Sequence, residues 1–141
     1  MKEEAVAVTK LAELGDSWKQ YDCIGIDEGQ FYKDVSIRYT LFTHCVIKVV
    51  EFAEIAASDG KIVIMSVLSG TSFRKPFNDV LELIPKCEKI KQLNAICKIC
   101  SSSASFTLRT TVDDRVELIG GGDLYMPVCR ECFNFKTHEQ E

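Results

Sequence analysis

The stretch Cys23–Gln30, with the sequence CIGIDEGQ, decides the fold, because a short apolar run ends in two carboxylates and a glycine. Residues 23–26 have the composition of a buried β-strand, and residues 27–30 mark its carboxyl end. In open α/β sheets, ligands bind at this edge. We therefore interpret Asp27 and Glu28 as candidate ligand-facing carboxylates, although acidic pairs after a strand are also common as solvated turn residues.

The segments that follow predict a parallel βαβ unit. Apolar residues recur at helical spacing over residues 50–58, and Asp59-Gly60 ends that pattern. Residues 61–68, KIVIMSVL, are the most strand-like run of the chain. Strand, helix and strand in this order indicate a parallel pair. We also predict a short strand and a helical segment over residues 5–20, and a helical segment over residues 77–83 that Pro85 stops.

Four of the seven cysteines form two C-x-x-C pairs, with 28 residues between the pairs. A C-x-x-C turn holds both thiolates on one side of a tight loop, so two such turns can close a tetrahedral site around Zn²⁺. Four thiolates leave no position for water, which predicts structural zinc. The alternatives are four buried thiols or two redox pairs, and we expect no helix after either pair to lower a thiol pKa. The paired residues are Cys97, Cys100, Cys129 and Cys132; the ordinary thiols are Cys23, Cys45 and Cys87.

Four motifs occur in a defined order along the chain. They are IGIDEGQF at residues 24–31, GT and FRKPF within residues 70–77, VELIGG with Asp123 and Tyr125 within residues 116–125, and the two cysteine pairs. In this order they resemble the type II thymidine kinases, the cytosolic-type, zinc-containing family. The resemblance extends from about Ala5 to Phe135 with one interruption, and four motifs in the same order make chance agreement implausible.

The resemblance implies roles for individual residues. Glu28 matches the general base that accepts the proton of the deoxyribose 5′-hydroxyl, and Asp27 matches the Mg²⁺-associated acid. The residues that match the walls of the thymidine pocket are Phe31, Leu68, Phe77 and Tyr125. The residues that match the lasso over the base are Thr107, Val116, Leu118, Ile119, Gly120 and Gly121, and the paired cysteines match the zinc ligands that anchor it. Without the resemblance, core packing is the simpler interpretation of Phe31, Leu68 and Phe77.

The sequence departs from this family where ATP should bind. The family opens with a strand and a G-x-x-x-x-G-K-[ST] loop that holds the phosphates. The 141 residues contain no such motif, and they also lack the family segment that supplies a catalytic arginine and another carboxylate. Mg-ATP is therefore the expected cosubstrate of the family, but its phosphate-binding loop is missing here. Because electrostatic stabilisation of the phosphoryl group is usually the largest catalytic contribution, we expect little or no kinase activity from this N-terminally truncated chain alone.

The predicted fold class is α/β, an incomplete P-loop-kinase-like parallel sheet with a small C-terminal zinc-ribbon or lasso subdomain. We predict a partial nucleotide-kinase core over residues 1–92, a zinc-binding lasso over residues 93–136 and a flexible tail over residues 137–141. Residues 35–48 form an atypical insertion, for which a translated intron and a β-rich insertion are competing hypotheses. A sheet without its first strand exposes unpaired backbone groups, so we expect poor solubility or oligomerisation.

The expected function is thymidine phosphorylation to dTMP in deoxyribonucleoside salvage for DNA synthesis, by a homo-oligomer that is a tetramer in the family. One alternative is a non-catalytic subunit that joins an intact kinase. Another is an unrelated zinc-ribbon module that binds nucleic acid or protein. A net charge of −4 gives no broad basic face for nucleic acid. The charged start of the chain and the lack of a long apolar run predict neither a secretory signal nor a membrane span, so we expect a cytoplasmic protein.

Overall fold

A computed structural model describes residues 5–32, 48–111 and 120–138 of the chain. These residues belong to two compact units. The first unit lies within Met1–Ser69 and Pro76–Cys87, and the second lies within Gly70–Lys75 and Glu88–Glu141. The predicted insertion, apart from its last residue, and the last three residues of the predicted tail lie outside the described residues. The predicted division after residue 92 stays a prediction.

The first unit contains the predicted strand, helix and strand. The strand β1 is Cys23–Ile26, the helix α1 is Val49–Ser58 and the strand β2 is Ile62–Met65. The two strands pair in parallel, in a register that sets Cys23 opposite Ile62. Parallel strands end at the same edge of their sheet, so the residues after β1 lie next to the residues after β2. The predicted parallel βαβ arrangement is confirmed, and β2 is shorter than the predicted strand over residues 61–68.

One face of α1 forms the core of the first unit. Its side chains pack with residues that precede β1 and with the two strands, and the ring of Trp18 meets the ring of Phe52 edge to face, with centroids 5.5 Å apart. The helix ends before Gly60, whose φ of 81° is the left-handed conformation that terminates many helices. The buried members of this core are Leu11, Ile26, Val49, Val50, Phe52 and Val80.

The sequence predicted that β1 is buried. In the structure, β1 and β2 are buried on one face of the sheet and exposed on the other. Ile24, Val63 and Met65 pack against the core of the first unit. On the other face, Ile62 and Ile64 are each 62% exposed. Side chains of a strand alternate between the two faces of the sheet. Among the described residues, apolar side chains cover only the face that carries Ile24, Val63 and Met65.

The stretch before β1 differs from its prediction. The described residues 5–20 contain no strand and no α-helix, and two single-turn 3₁₀ helices occupy Leu11–Leu14 and Ser17–Gln20. Gly15, with φ 51° and ψ −129°, lies between them. This glycine conformation breaks the helical path, so one continuous helix cannot form.

The helical segment predicted over residues 77–83 is a 3₁₀ helix, Asn78–Lys86, that contains Pro85. The prediction that Pro85 stops it was wrong, because a proline near the end of a helix removes only one backbone donor there. Two ion pairs tie this helix to the region of α1. Lys48 Nζ lies 2.8 Å from Asp79 Oδ2, and Lys86 Nζ lies 2.6 Å from Glu54 Oε2.

The described part of the second unit contains two antiparallel strand pairs and a helix. Strand β3, Ala95–Ile96, pairs with β4, Ser103–Ala104, and β5, Phe106–Arg109, pairs with β6, Tyr125–Val128. Helix α2 is Arg130–His138. The small core consists of Cys97, Ala104, Leu108, Val128 and Phe133. No helix in the described parts of the chain is long and apolar enough to cross a membrane.

Candidate active site and metal site

The turn after β1 carries two exposed carboxylates, Asp27 and Glu28. The backbone of Glu28, with φ 52° and ψ 41°, is in the left-handed region that few residues other than glycine adopt. Gly29 N donates to Ser66 O at 3.0 Å, and Ser66 N donates to Ile26 O at 2.9 Å. The Ser66 hydroxyl also donates to Asp27 Oδ1. The end of β2 therefore holds the turn in place, at the sheet edge where the sequence predicts a ligand.

Gly29 permits the close approach of this turn to β2. A Cβ atom at this position would lie 2.7 Å from Met65 Sδ and 2.9 Å from Val67 Cγ1. Both distances are shorter than normal contacts between these atoms, so a side chain at residue 29 would require Met65, Val67 or the turn itself to move.

Gln30 follows in the same turn, and its side chain is 1% exposed. Its Nε2 donates to Glu28 Oε2 at 2.5 Å, and its Oε1 accepts from Leu68 N at 2.9 Å. Its backbone oxygen accepts from Asn78 Nδ2 at 2.8 Å. Sequence analysis assigned no role to Gln30. No local signal in the sequence identifies it, because its partner Leu68 lies 38 residues away.

Three predicted pocket residues lie in the first unit. Phe31 and Leu68 are each 50% exposed, whereas Phe77 is 6% exposed. The ring of Phe31 stands edge to face on the ring of Phe77, with centroids 5.5 Å apart and an interplanar angle of 89°. Core packing therefore accounts for Phe77, but it leaves half of Phe31 and half of Leu68 open.

The predicted lasso residue Thr107 and the predicted pocket residue Tyr125 lie on the β5–β6 pair of the second unit. Thr107 and Tyr125 are both half-buried. Tyr125 lies opposite the buried Arg109, whose Nη2 donates to the Tyr125 hydroxyl at 3.1 Å. The Arg109 guanidinium also lies 5.3 Å from the ring centroid of Phe73 and 5.4 Å from that of Tyr125. These cation–π contacts fix the orientation of the Tyr125 ring.

Gly120 and Gly121 begin the described approach to β6. Gly121 O accepts hydrogen bonds from Leu124 N and Tyr125 N, each at 3.0 Å. A Cβ atom on Gly120 would lie 2.1 Å from Leu124 Cδ1, so this position accommodates only glycine without rearrangement. The other predicted lasso residues lie outside the described residues: Val116, Leu118 and Ile119.

The four paired cysteines converge in the second unit. Their sulfur atoms all lie within 4.8 Å of one another, and the sulfurs of Cys100 and Cys129 are 3.6 Å apart. A tetrahedral zinc site with Zn–S bonds of about 2.3 Å requires sulfurs roughly 3.8 Å apart. The four thiols therefore fit a metal ion such as zinc, and the predicted cluster of Cys97, Cys100, Cys129 and Cys132 is confirmed.

Backbone hydrogen bonds shape both cysteine loops. In the first loop, Cys97 N donates to Ser102 O at 2.8 Å and Ser101 N donates to Cys97 O at 2.9 Å. In the second loop, Phe133 N donates to Cys129 O at 2.9 Å. The expectation that no helix follows either pair was wrong, because α2 begins at Arg130, between the two cysteines of the second pair.

Comparison with known proteins gives the family. The family model described as "Thymidine kinase" matches residues 1–133. The chain belongs to the thymidine kinase family. Thymidine kinases of Vaccinia virus (strain Ankara) and Variola virus are 43% and 42% identical over 130 residues, which is 92% of this chain and 66% of each relative. That of Monkeypox virus is 42% identical over 129 residues, 92% of this chain and 65% of the relative. The chain thus spans just under two thirds of these thymidine kinases.

The cysteines of this thymidine kinase family member differ in acidity. Burial opposes ionisation of the Cys97 thiol, but backbone hydrogen bonds from Cys100, Cys129 and Ile99 outweigh it and lower the pKa to about 6. Hydrogen bonds from Ser102 lower the pKa of Cys100. Burial, followed by hydrogen bonding to Cys129, raises the pKa of Cys132 to about 12. Because metal binding requires thiolates, a metal ion would displace the proton that Cys132 holds.

The structure thus brings predicted site residues of this chain together in two groups, one in each unit. Within the first unit, the structure brings the turn of Asp27 and Glu28 together with Leu68 through Gln30, and it packs Phe31 on Phe77. Within the second unit, it brings the four cysteines together. Each group is formed by residues that are distant in sequence, which local sequence patterns alone do not establish.

Proposed function

We propose that this chain provides the thymidine site and the catalytic carboxylates for ATP-dependent phosphorylation of thymidine to dTMP. This is a transferase reaction of deoxyribonucleoside salvage for DNA synthesis. One observation carries the proposal: the exposed Glu28 carboxylate is connected through Gln30 to the backbone of the half-exposed Leu68. A carboxylate that can act as general base and an apolar surface are therefore held together at the carboxyl edge of a parallel sheet, where α/β proteins bind ligands. Family membership supports the same assignment.

In this proposal Glu28 acts as the general base. Its carboxylate accepts the proton of the deoxyribose 5′-hydroxyl as that oxygen bonds to the γ-phosphorus and the bond from phosphorus to the β-phosphate oxygen breaks. Mg-ATP, when bound, supplies the phosphoryl group and neutralises part of its charge. Asp27 would be the residue that associates with the magnesium ion, and its Oδ1 accepts a hydrogen bond from Ser66, which orients the carboxylate.

The nucleoside base lies against apolar side chains in this proposal. Phe31 and Leu68 are half-exposed although they are large and apolar, and a flat heteroaromatic ring would cover such surfaces favourably. The buried Phe77 supports Phe31 from behind through the edge-to-face contact. The family resemblance supports Tyr125 as a further pocket residue, and Thr107 and the glycines before β6 as residues of the proposed lasso.

The metal in the cysteine cluster is proposed to be structural Zn²⁺. Four thiolates complete a tetrahedral shell and leave no position for a reacting water molecule. Among the described residues, the core cluster of the second unit is small, so the binding energy of the metal contributes directly to folding of this unit. Zinc would thereby anchor the carboxyl end of β6, where Cys129 follows Val128, and so hold the β5–β6 pair that carries the proposed lasso.

The proposal assigns ATP binding to a complete kinase and not to these 141 residues. They contain no G-x-x-x-x-G-K-[ST] motif, so the donors that would stabilise the transferring phosphoryl group are not supplied by a P-loop here. We propose that the chain alone has little or no kinase activity. The family also leads us to propose a cytoplasmic homo-oligomer, with thymidine and ATP as its ligands and neither nucleic acid nor membrane as a partner.

Thymidine binding to the zinc-loaded chain, measured by calorimetry, tests this function. We expect binding by the unmodified chain and by Glu28→Gln, because glutamine retains a hydrogen-bonding group at that position. We expect loss of binding in Cys97→Ser, which breaks the metal site. Glu88→Gln and Cys87→Ser are the matched controls, since both residues are exposed and lie outside the two proposed sites. Absence of binding in a chain shown by circular dichroism to be folded would contradict the proposal.

A further inference from the structure

Gln30 is the buried polar residue that connects the two parts of the proposed thymidine site. Its side chain is 1% exposed, although an amide carries two donors and an acceptor that need partners. The amide oxygen accepts from Leu68 N at 2.9 Å, and the amide nitrogen donates to Glu28 Oε2 at 2.5 Å. Burial of this amide is therefore compensated by contacts with one residue that follows each strand.

The two contacts fix which way the amide faces. The backbone N–H of Leu68 is a donor, so it requires the oxygen of Gln30 on that side. The nitrogen of Gln30 must then face Glu28, and an N–H group directed at a carboxylate makes a strong, charge-assisted hydrogen bond. Neither glutamate nor methionine at residue 30 could supply both contacts, because an ionised glutamate has no donor and methionine has neither group.

Glu28 depends on this contact for its orientation. Its side chain is exposed, so packing by neighbouring residues does not select one rotamer, and its backbone is in the sparsely populated left-handed region. The hydrogen bond from Gln30 occupies Oε2 and leaves Oε1 as an open acceptor. An oriented carboxylate with one open oxygen is what proton transfer from a bound hydroxyl requires.

We propose that Gln30 is a positioning residue that orients the Glu28 carboxylate toward the nucleoside 5′-hydroxyl and sets its separation from Leu68. The inference rests on the proposed function for the identity of the ligand. The positioning itself concerns only residues of the first unit and can be measured without ligand.

The test compares thymidine with 5′-deoxythymidine, which lacks the hydroxyl that Glu28 would contact. A hydrogen bond to a charged group corresponds to a preference of about ten- to a hundredfold for thymidine. In Gln30→Met we expect this preference to fall to that of Glu28→Ala, while the affinity for 5′-deoxythymidine changes less than about threefold. Gln30→Glu keeps the acceptor for Leu68 N and should also lose the preference, because two carboxylates then face each other. Gln20→Met is the control at an exposed glutamine.

A second measurement does not require a ligand. Three-bond couplings of the labelled protein report the χ1 rotamer of Glu28, which we expect to be single in the unmodified chain and averaged in Gln30→Met. A Glu28 rotamer that is already averaged in the unmodified chain, or unchanged in the variant, would overturn the inference. If Gln30→Met lowered the affinities for thymidine and 5′-deoxythymidine equally, the inference would also be overturned, because a purely structural role of Gln30 would give that result. Failure of the unmodified chain to bind either nucleoside, with the rotamer change present, would contradict the proposed function and leave the positioning supported.

Discussion

The hydroxyl group of Ser66 donates a hydrogen bond to the carboxylate of Asp27, so the residue after β2 holds the first acidic residue after β1. The backbone of Ser66 also bonds to Ile26 and Gly29 on the same turn. Because parallel strands end at one edge, Ser66 meets three residues at the end of β1 and in the turn after it through three hydrogen bonds, although Asp27 is 39 positions away in sequence.

Removing this hydroxyl should loosen the turn. We expect Ser66→Ala to lower the free energy of unfolding by about 1 kcal/mol, because one hydrogen bond to an exposed carboxylate is lost while the backbone contacts remain. Urea denaturation followed by circular dichroism measures the change. Ser58→Ala at the exposed end of α1 is the control and should stay within about 0.5 kcal/mol of the unmodified chain. If Ser66→Ala has no larger effect in the presence of Asp27 than in Asp27→Ala, which has no acceptor for the hydroxyl, the side-chain contact contributes nothing.

Gly29 should tolerate no side chain. Gly29→Ala places a methyl group 2.7 Å from Met65 Sδ and 2.9 Å from Val67 Cγ1, so we expect a loss of roughly 1–3 kcal/mol in unfolding free energy. Gly25→Ala is the matched control, because no atom lies within 4 Å of its Cβ position. Thermal denaturation of both variants checks the prediction. Equal melting temperatures for the two variants would show that β2 does not pack closely on the turn.

Substitutions of Phe31 and Phe77, whose rings meet edge to face, should have different effects on protein stability and on thymidine binding. Phe77→Ala removes a buried ring and should cost about 3 kcal/mol of unfolding free energy. Phe31→Ala removes a half-exposed ring, so we expect less than about 1 kcal/mol of lost stability but a clear loss of thymidine affinity. Chemical denaturation and calorimetry on the same preparations measure both effects. Unchanged thymidine affinity in Phe31→Ala would remove this residue from the proposed pocket.

Metal removal should affect the second unit selectively. With a chelator, we expect amide signals of β3–β6 to lose their dispersion, because the small core depends on the four cysteines, while signals of α1 and β1 persist. Cobalt substitution should give the visible absorption of tetrahedral thiolate coordination, and this absorption should weaken in Cys97→Ser but not in Cys87→Ser. Retention of all β3–β6 signals in the metal-free protein would contradict a structural role for the metal.

Phosphoryl transfer by the 141 residues alone should be negligible. Since they contain no P-loop motif, we expect ATP-dependent formation of dTMP at the level of the Glu28→Gln variant, measured with labelled thymidine. An intact thymidine kinase under the same conditions is the positive control. Product formation above the Glu28→Gln level would contradict this prediction.

The sequence predicted the features that depend on local patterns. Short apolar runs identified β1 and β2, helical spacing and Gly60 identified α1, and the C-x-x-C spacing identified the metal cluster. Each of these signals lies within a few neighbouring residues, where propensity and spacing act directly.

Features that depend on tertiary contacts were missed. The 3₁₀ helix Asn78–Lys86 lies where the sequence predicted a shorter helix ending before Pro85, and ion pairs with Lys48 and Glu54 accompany it. Gln30 has no local signal for its role, because its partner Leu68 is 38 residues away and becomes adjacent only when the strands pair. The exposed face of Ile62 likewise depends on which segments cover the sheet and not on the apolar run itself.

The left-handed backbone of Glu28 has a consequence for directed evolution of this chain. A glutamate in this conformation costs about 1–3 kcal/mol, whereas asparagine or glycine adopts it more readily. A laboratory selection for heat resistance alone should therefore replace Glu28 early. The selected variants would be more stable to heat but would lack the proposed general base. Only a selection that also demands nucleoside turnover from the assembled enzyme would retain the glutamate, because its proposed role as general base, and not stability, favours it at this position.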